Sequence, residues 1–232
     1  MRTAAAIIIG TILAIAMCSS ATEPVKTGIF TESRDGKTYT VVKMGTQTWS
    51  TQNLNVSVFS NGEAIPEAKT NDEWVRAGKE KKPAWCYYDN NPANGEKYGK
   101  LYNWYAVNDP RGLAPKGWHV PTKSEINQFY GDVQYCCGSP GISLKSNNDW
   151  QDRGENDPGN GDNVVGFDGR PGGSRFYTGF FGRLHKKGYW WSSSAGQEHA
   201  IYLVLNNDDD DAFVMDSGDK SSGYSVRCIK DQ

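Results

Sequence analysis

The sequence predicts an α+β domain. Three observations lead there. One amphipathic helix with both ends legible runs over 122–137, short β-like runs flank it on both sides, and the stretch from Ser139 to Gly173 is almost wholly loop formers. A chain of 232 residues can hold one sizeable core. Only 37% of it is hydrophobic, yet it carries 8 Trp and 12 Tyr, so that core is expected to be built from rings rather than long aliphatic helices.

The N-terminus reads as a targeting segment. Arg2 supplies a short charged region, and Ala4 to Met17 is an unbroken run of apolar or small residues, too short to span a bilayer. Two exits fit. Ser19-Ser20-Ala21 offers ordinary cleavage before Thr22, whereas Ile15-Ala16-Met17-Cys18 resembles a bacterial lipobox that would make Cys18 the lipidated first residue. The expected organisation is a signal peptide over 1–21, a linker over 22–33 and a single domain over 34–231. The expected location is the outer membrane or cell surface as a lipoprotein, or the exterior as a secreted protein. The membrane is touched only through the signal or a lipid anchor.

The elements follow in order. Lys37 to Met44 is a β-rich run, Gly45 turns it, and Thr46 to Ser50 returns as a second strand. Thr70 and Glu73 have capping-box spacing, which starts a surface helix that Pro83 stops, with Trp74 and Ala77 facing the body. Asp89 to Gly99 is turn chemistry. Leu101 to Tyr105 has the spacing of one or two helical turns, ended by Asn108-Asp109-Pro110. Thr122 and Glu125 form a second capping box, after which Ile126, Phe129, Tyr130 and Val133 fall on one face and Gly138 closes the helix. Strands are expected at 175–178, 189–192, 200–205, 212–215 and 224–229, with Asn206 to Asp211 as the turn between two of them. Trp190 and Trp191 are adjacent, so in a strand they point to opposite faces and at least one belongs to the core.

Beyond the leader the cysteines are Cys86, Cys136, Cys137 and Cys228. An exported chain meets an oxidising compartment. A bond between the vicinal Cys136 and Cys137 closes a strained ring, so one of the two is expected to bond Cys228, leaving Cys86 a buried thiol.

The chemistry is narrowed mainly by exclusion. A formal net charge of −2, without a basic stripe, excludes nucleic acid as a partner. Gly95 to Lys100 falls one residue short of a P-loop and lacks its Ser/Thr. His119, His185 and His199 are scattered without metal spacing, and no Gly-x-Ser-x-Gly elbow exists, so no catalytic residue is assigned. The candidate contact residues are those of the acidic turn, Asn206, Asn207, Asp208, Asp209, Asp210 and Asp211, with Asn160 and Asp162 in the long loop over 146–170. Their hard oxygens suit a glycan or protein ligand. Calcium at Asp208 and Asp210 is the one metal they admit, against the bland alternative of a solvated hairpin tip. No other cofactor is expected, and the chain is expected to be a monomer.

Many separate runs carry a family likeness: Asp35-Gly-Lys-Thr-Tyr39, Asn53-Leu54, Cys86-Tyr-Tyr-Asp89, Tyr98 to Tyr105, Leu113 to Thr122, Leu144-Lys145, Pro171 to Arg175, Trp190 to Ser193 and Tyr224 to Cys228. Together, in order, over about Thr31 to Asp231, they resemble the Fibrobacter succinogenes major paralogous domain. The resemblance implies a C-type-lectin-like α+β fold. That means small mixed or antiparallel sheets, one main core helix (122–137), long loops, and paired N- and C-terminal strands. It also implies that a helix-end cysteine can bond the terminal-strand cysteine. Members are exported bacterial proteins, in some cases linked to adhesion, which points to a non-enzymatic binding module. Trp118 to Thr122, followed by a helix and Gly172-Gly-Ser174, also resembles sulfatase-modifying-factor domains, which makes an enzyme or enzyme-accessory domain the alternative. A purely structural envelope protein is the third reading.

Overall fold

The computed structural model describes residues 27–232, so the signal peptide, both its exits and Cys18 lie outside the described residues. The α+β expectation holds: small antiparallel sheets carry most of the regular structure and one long helix packs against them.

The N-terminal run folds as β2 (Thr38–Met44) and β3 (Gln47–Ser50), joined at Gly45, whose φ of 55° a side chain would strain. A strand precedes them. β1 (Thr27–Thr31) pairs antiparallel with β2, so this part of the expected linker is sheet. Phe30 explains the correction, because its ring stacks on Tyr39 at 5.1 Å and on Trp118 at 4.3 Å. The last strand, β12 (Ile229–Lys230), inserts between β3 and β6 (Trp118–His119), giving a sheet of order β1-β2-β3-β12-β6. N- and C-terminal strands therefore share one sheet, but the expected pairing of the first strand with the last is not made, because β3 lies between β2 and β12.

The expected strand over 224–229 is mostly not one. Its consecutive backbone groups serve different partners: Tyr224 pairs with Tyr102, the Ser225 carbonyl accepts from Trp191, Val226 from Leu54 and Cys228 from Ser50. The segment laces four parts of the chain together instead of lying along one of them.

α1 (Asn71–Lys79) and α4 (Lys123–Cys137) both start at the capping boxes read from the sequence, Thr70/Glu73 and Thr122/Glu125. Gly138 ends α4 at φ 80°. The Asp89–Gly99 stretch is helical, not turn alone, with a short 3₁₀ turn and then α2 (Pro92–Tyr98). Asn91 caps this helix at the Ala93 amide, and Pro92 presets its first residue. The next run splits into β5 (Leu101–Tyr102), paired with β4 (Trp85–Cys86), and the single-turn α3 (Trp104–Val107). The long loop contains one short helix, α5 (Pro140–Leu144).

Next come the hairpin β7 (Gly172–Arg175) and β8 (Phe181–Leu184), then a three-stranded meander of β9 (Lys187–Ala195), β10 (His199–Asn206) and β11 (Ala212–Asp219). Two ring-rich clusters lie on either side of β9 and the terminal segment. Trp190 and Ile229 join Ile126, Phe129 and Val133 of α4, while their neighbours Trp191 and Cys228 face the cluster of Tyr102, Trp104 and Val226. Both tryptophans are core.

That alternation overturns the expected disulfide. Cys228 points away from α4, the helix-end cysteines bond each other, and Cys228 is a buried free thiol, as is Cys86.

Candidate functional site

The acidic turn and the long loop do meet, and a buried lysine joins them. α5 ends at Leu144 and delivers Lys145, fully buried, beneath the β10–β11 turn. Its ammonium donates to the carbonyls of Asn206 (3.2 Å) and Asp209 (2.9 Å). Gly141 lets α5 come this close, since a Cβ there would lie 2.4 Å from the Asp211 carbonyl oxygen. Burial, then the Arg153 charge, lowers the Lys145 pKa, against the pull of Asp210, Asp209 and Asp208.

Around this centre Arg153 pairs with Asp210 at 2.8 Å, the Asn207 side chain donates to the Gln151 carbonyl (3.0 Å), and the Tyr130 hydroxyl donates to Asp211 (3.2 Å). Asp209 turns back on the Asp211 amide, while Asp208 is exposed. Asn160 accepts from the Trp150 amide and Asp162 from the Val164 amide, so these two side chains build the loop itself. A positive charge already sits where the turn's carbonyls converge. Among the described residues, no group of three or more His, Cys, Asp or Glu is placed to hold a metal ion.

Among the described residues, Lys145 is one of four buried cations that bind backbone carbonyls, and each falls in a run that carries the family resemblance. Lys100 donates to the Asn55 carbonyl at 2.6 Å, beneath the Trp85 and Tyr87 rings. Arg175 donates to the carbonyls of Gly179, Ala68 and Thr70. Arg227 donates to those of Ser50, Phe167 and Asp168. Each satisfies carbonyls in loops or at strand ends and ties them to the core.

Sequence reasoning missed a cleft of about 390 Å³ on the other side of the long loop. Asp168 and Arg170 form one wall, residues 51–55 and Tyr39 another, and the end of α2 a third. Arg227 lies at its base, with Nε donating to Asn53 Oδ1 at 2.7 Å and the guanidinium 4.4 Å from the Phe167 ring centre. Only the folded chain brings these segments together, although Asn53 and Arg227 already stood in the family runs.

A second missed feature is the β7–β8 hairpin tip. Arg175 and Phe181 pair on its inner face. Phe176, Tyr177 and Phe180 are 37%, 57% and 64% exposed, and the Phe176 ring lies over Gly182. The sequence reading made 175–178 a strand, but the strand ends at Arg175.

The nucleophiles are hidden. Burial pushes both the Cys86 and Cys228 thiols up to about 12, and neither lines any of the three clefts described. His119 sits between Asp231 (2.7 Å) and Glu125 (2.9 Å), tying the Trp-His-Val-Pro turn to the head of α4. His185 Nδ1 contacts the Asp149 carbonyl, and His199 is exposed at the start of β10.

The sequence model of the Fibrobacter succinogenes major domain matches residues 42–230. No curated protein and no solved structure matches the chain.

Proposed function

The chain belongs to the Fibrobacter succinogenes major domain family, and from that premise we propose that it is a non-enzymatic binding or adhesion module with a C-type-lectin-like body. In this reading it is exported, as a surface lipoprotein or a secreted protein, and it engages a glycan or protein outside the cell. The contact surface is the loop set 146–170 with the turn 206–211. The observation that carries the reading is the Lys145 centre. A buried ammonium, with Arg153 and Tyr130 beside it, fixes the backbone of a polar turn whose Asp208 side chain faces solvent. A surface ordered in advance loses little entropy on binding.

The enzyme alternative needs a reactive thiol in a cleft, and the two free thiols among the described residues are buried away from the clefts described. A purely structural protein gives no reason for convergent polar groups such as those around Arg227. The test is a glycan array and a polysaccharide pull-down with the wild type and with Asp208→Ala/Asp210→Ala. Binding of at least one glycan by the wild type and loss of that glycan's binding in the variant support the reading. No glycan bound in either format, together with no protein bound on an array of extracellular proteins, sinks it.

A further inference from the structure

We propose that the cleft above Arg227 is the seat of a carboxylate-bearing saccharide, a uronic acid unit held by its carboxylate and its hydroxyls. This goes beyond the binding-module reading, because the cleft is a second site, apart from the loop surface.

Arg227 is a buried charge without a counter-ion. A guanidinium has five N–H donors. Four of Arg227's are spent, on Asn53 Oδ1 and on the carbonyls of Ser50, Phe167 and Asp168, and every one of those acceptors is neutral. The remaining donor is on Nη2, and Arg227, itself only 1% exposed, is among the residues that line the cleft. The neighbouring Asp168 carboxylate is held by Arg170 Nε at 2.9 Å, leaving Arg227 without a direct ion pair. Burying a charge without a counter-ion is costly, and of the four buried cations Arg227 is the one that lines this cleft, where an anion can supply the missing partner.

The walls agree. Lys37, Lys97, Arg170 and Arg227 line the cleft against Glu96 and Asp168, so the lining is net positive in a chain whose formal charge is −2. Lys97 holds Asp149 and Lys37 lies 3.4 Å from Glu96, pairs at the rim that an incoming carboxylate can share. The Lys100 ammonium lies behind the Asn55 wall and adds to the positive potential.

The rest of the lining selects the ligand's body. It is polar: Thr38 and Gln52 are exposed, Thr51, Asn53 and Asn55 are bonded within the protein and held rigid, and no aliphatic side chain lines the cleft. That suits a polyhydroxylated anion and offers nothing to a lipid tail or to the side chains of a peptide. The volume, about 390 Å³, is in the range of small-molecule sites.

The experiment is a calorimetric titration of the intact chain with D-glucuronate, D-glucose, inorganic sulfate and a tetraglutamate peptide. Glucuronate is expected to bind at least about tenfold more tightly than glucose and to weaken as salt rises. Lys37→Gln/Arg170→Gln, at the rim, should lower glucuronate affinity roughly tenfold or more at an unchanged melting temperature. Asp208→Ala/Asp210→Ala should leave glucuronate binding intact, which separates this site from the loop surface. Equal affinity for glucose and glucuronate overturns the proposal. So does sulfate binding as tightly as glucuronate, tetraglutamate doing so, or a rim variant that binds like wild type. If glucuronate fails while neutral glycans still bind the loops, this inference falls and the binding-module reading stands.

Discussion

Lys145→Met tests the buried-cation centre most sharply, because it keeps the length of the stem and removes the charge. Two charge-assisted hydrogen bonds are lost, to the carbonyls of Asn206 and Asp209. At about 1.5–3 kcal/mol each they sum to roughly 3–6 kcal/mol. Relief acts in the opposite direction. Burial lowers the Lys145 pKa, so the ammonium is less well solvated here than in water, and removing it recovers part of that cost. The balance is a loss of about 2–4 kcal/mol, which for a domain of this size lowers the melting temperature by roughly 5–15 °C. Urea denaturation at constant m-value gives the number, and amide exchange at Asp211 and Ile142, whose acceptors lie in this turn, shows whether the loss is local. A variant within about 0.5 kcal/mol of wild type, with turn protection unchanged, would refute the reasoning.

Other expectations follow from the same geometry. Burial pulls the His119 imidazole down, but its bonds to Asp231 and Glu125 outweigh that and lift its pKa above the ordinary 6.5. Burial pushes Glu125 up, but bonds from Thr122 and His119 hold it below 4.5. The histidine's contribution is therefore complete below 6.5 and lost as pH rises through its raised value, while the glutamate's is complete above 4.5 and lost on acidification. The melting temperature of wild type relative to His119→Gln should be highest between those limits, and a difference that grows above neutral pH would contradict the assignment. Iodoacetamide should label neither Cys86 nor Cys228 in the folded chain and both in denaturant without reductant. If Cys228 needs reductant, it is bonded to the helix after all. Gly141→Ala should cost about 1–3 kcal/mol, because its Cβ meets backbone of Asp211 instead of a movable side chain. A neutral result in urea denaturation would mean that α5 is not held against the turn.

The parts of the fold legible in the sequence are those fixed locally. Thr122 and Glu125, the face of Ile126, Phe129 and Val133, and Gly138 define α4 without reference to anything else. β1 was not legible, because Thr27–Thr31 is a strand only through its pairing with β2 and the stacking of Phe30 on Trp118. α2 was hidden by composition. Asn91-Pro92 is a cap and first turn, but among Asn and Gly it reads as a loop. The disulfide was misassigned because the facing of Cys228 depends on which neighbour each residue of the terminal segment engages. The acidic turn was visible as a run of donors, whereas its partner Lys145 sits far off in sequence and looks like any surface lysine. The Arg227 cleft needs residues 37–55, 95–99, 168–170 and 227 together, a juxtaposition that no window of sequence contains.

The polar loops are proposed to form one preformed surface clamped from beneath. Native-state hydrogen exchange tests this most directly. The Ser146, Gly161, Asp162 and Gly169 amides, which donate to Gly169, Ser146, Ile142 and Leu144 respectively, should be protected to within a few kcal/mol of the global unfolding free energy. Exchange of all four at the rate of an unstructured chain, while the β9–β10 amides stay protected, would contradict it.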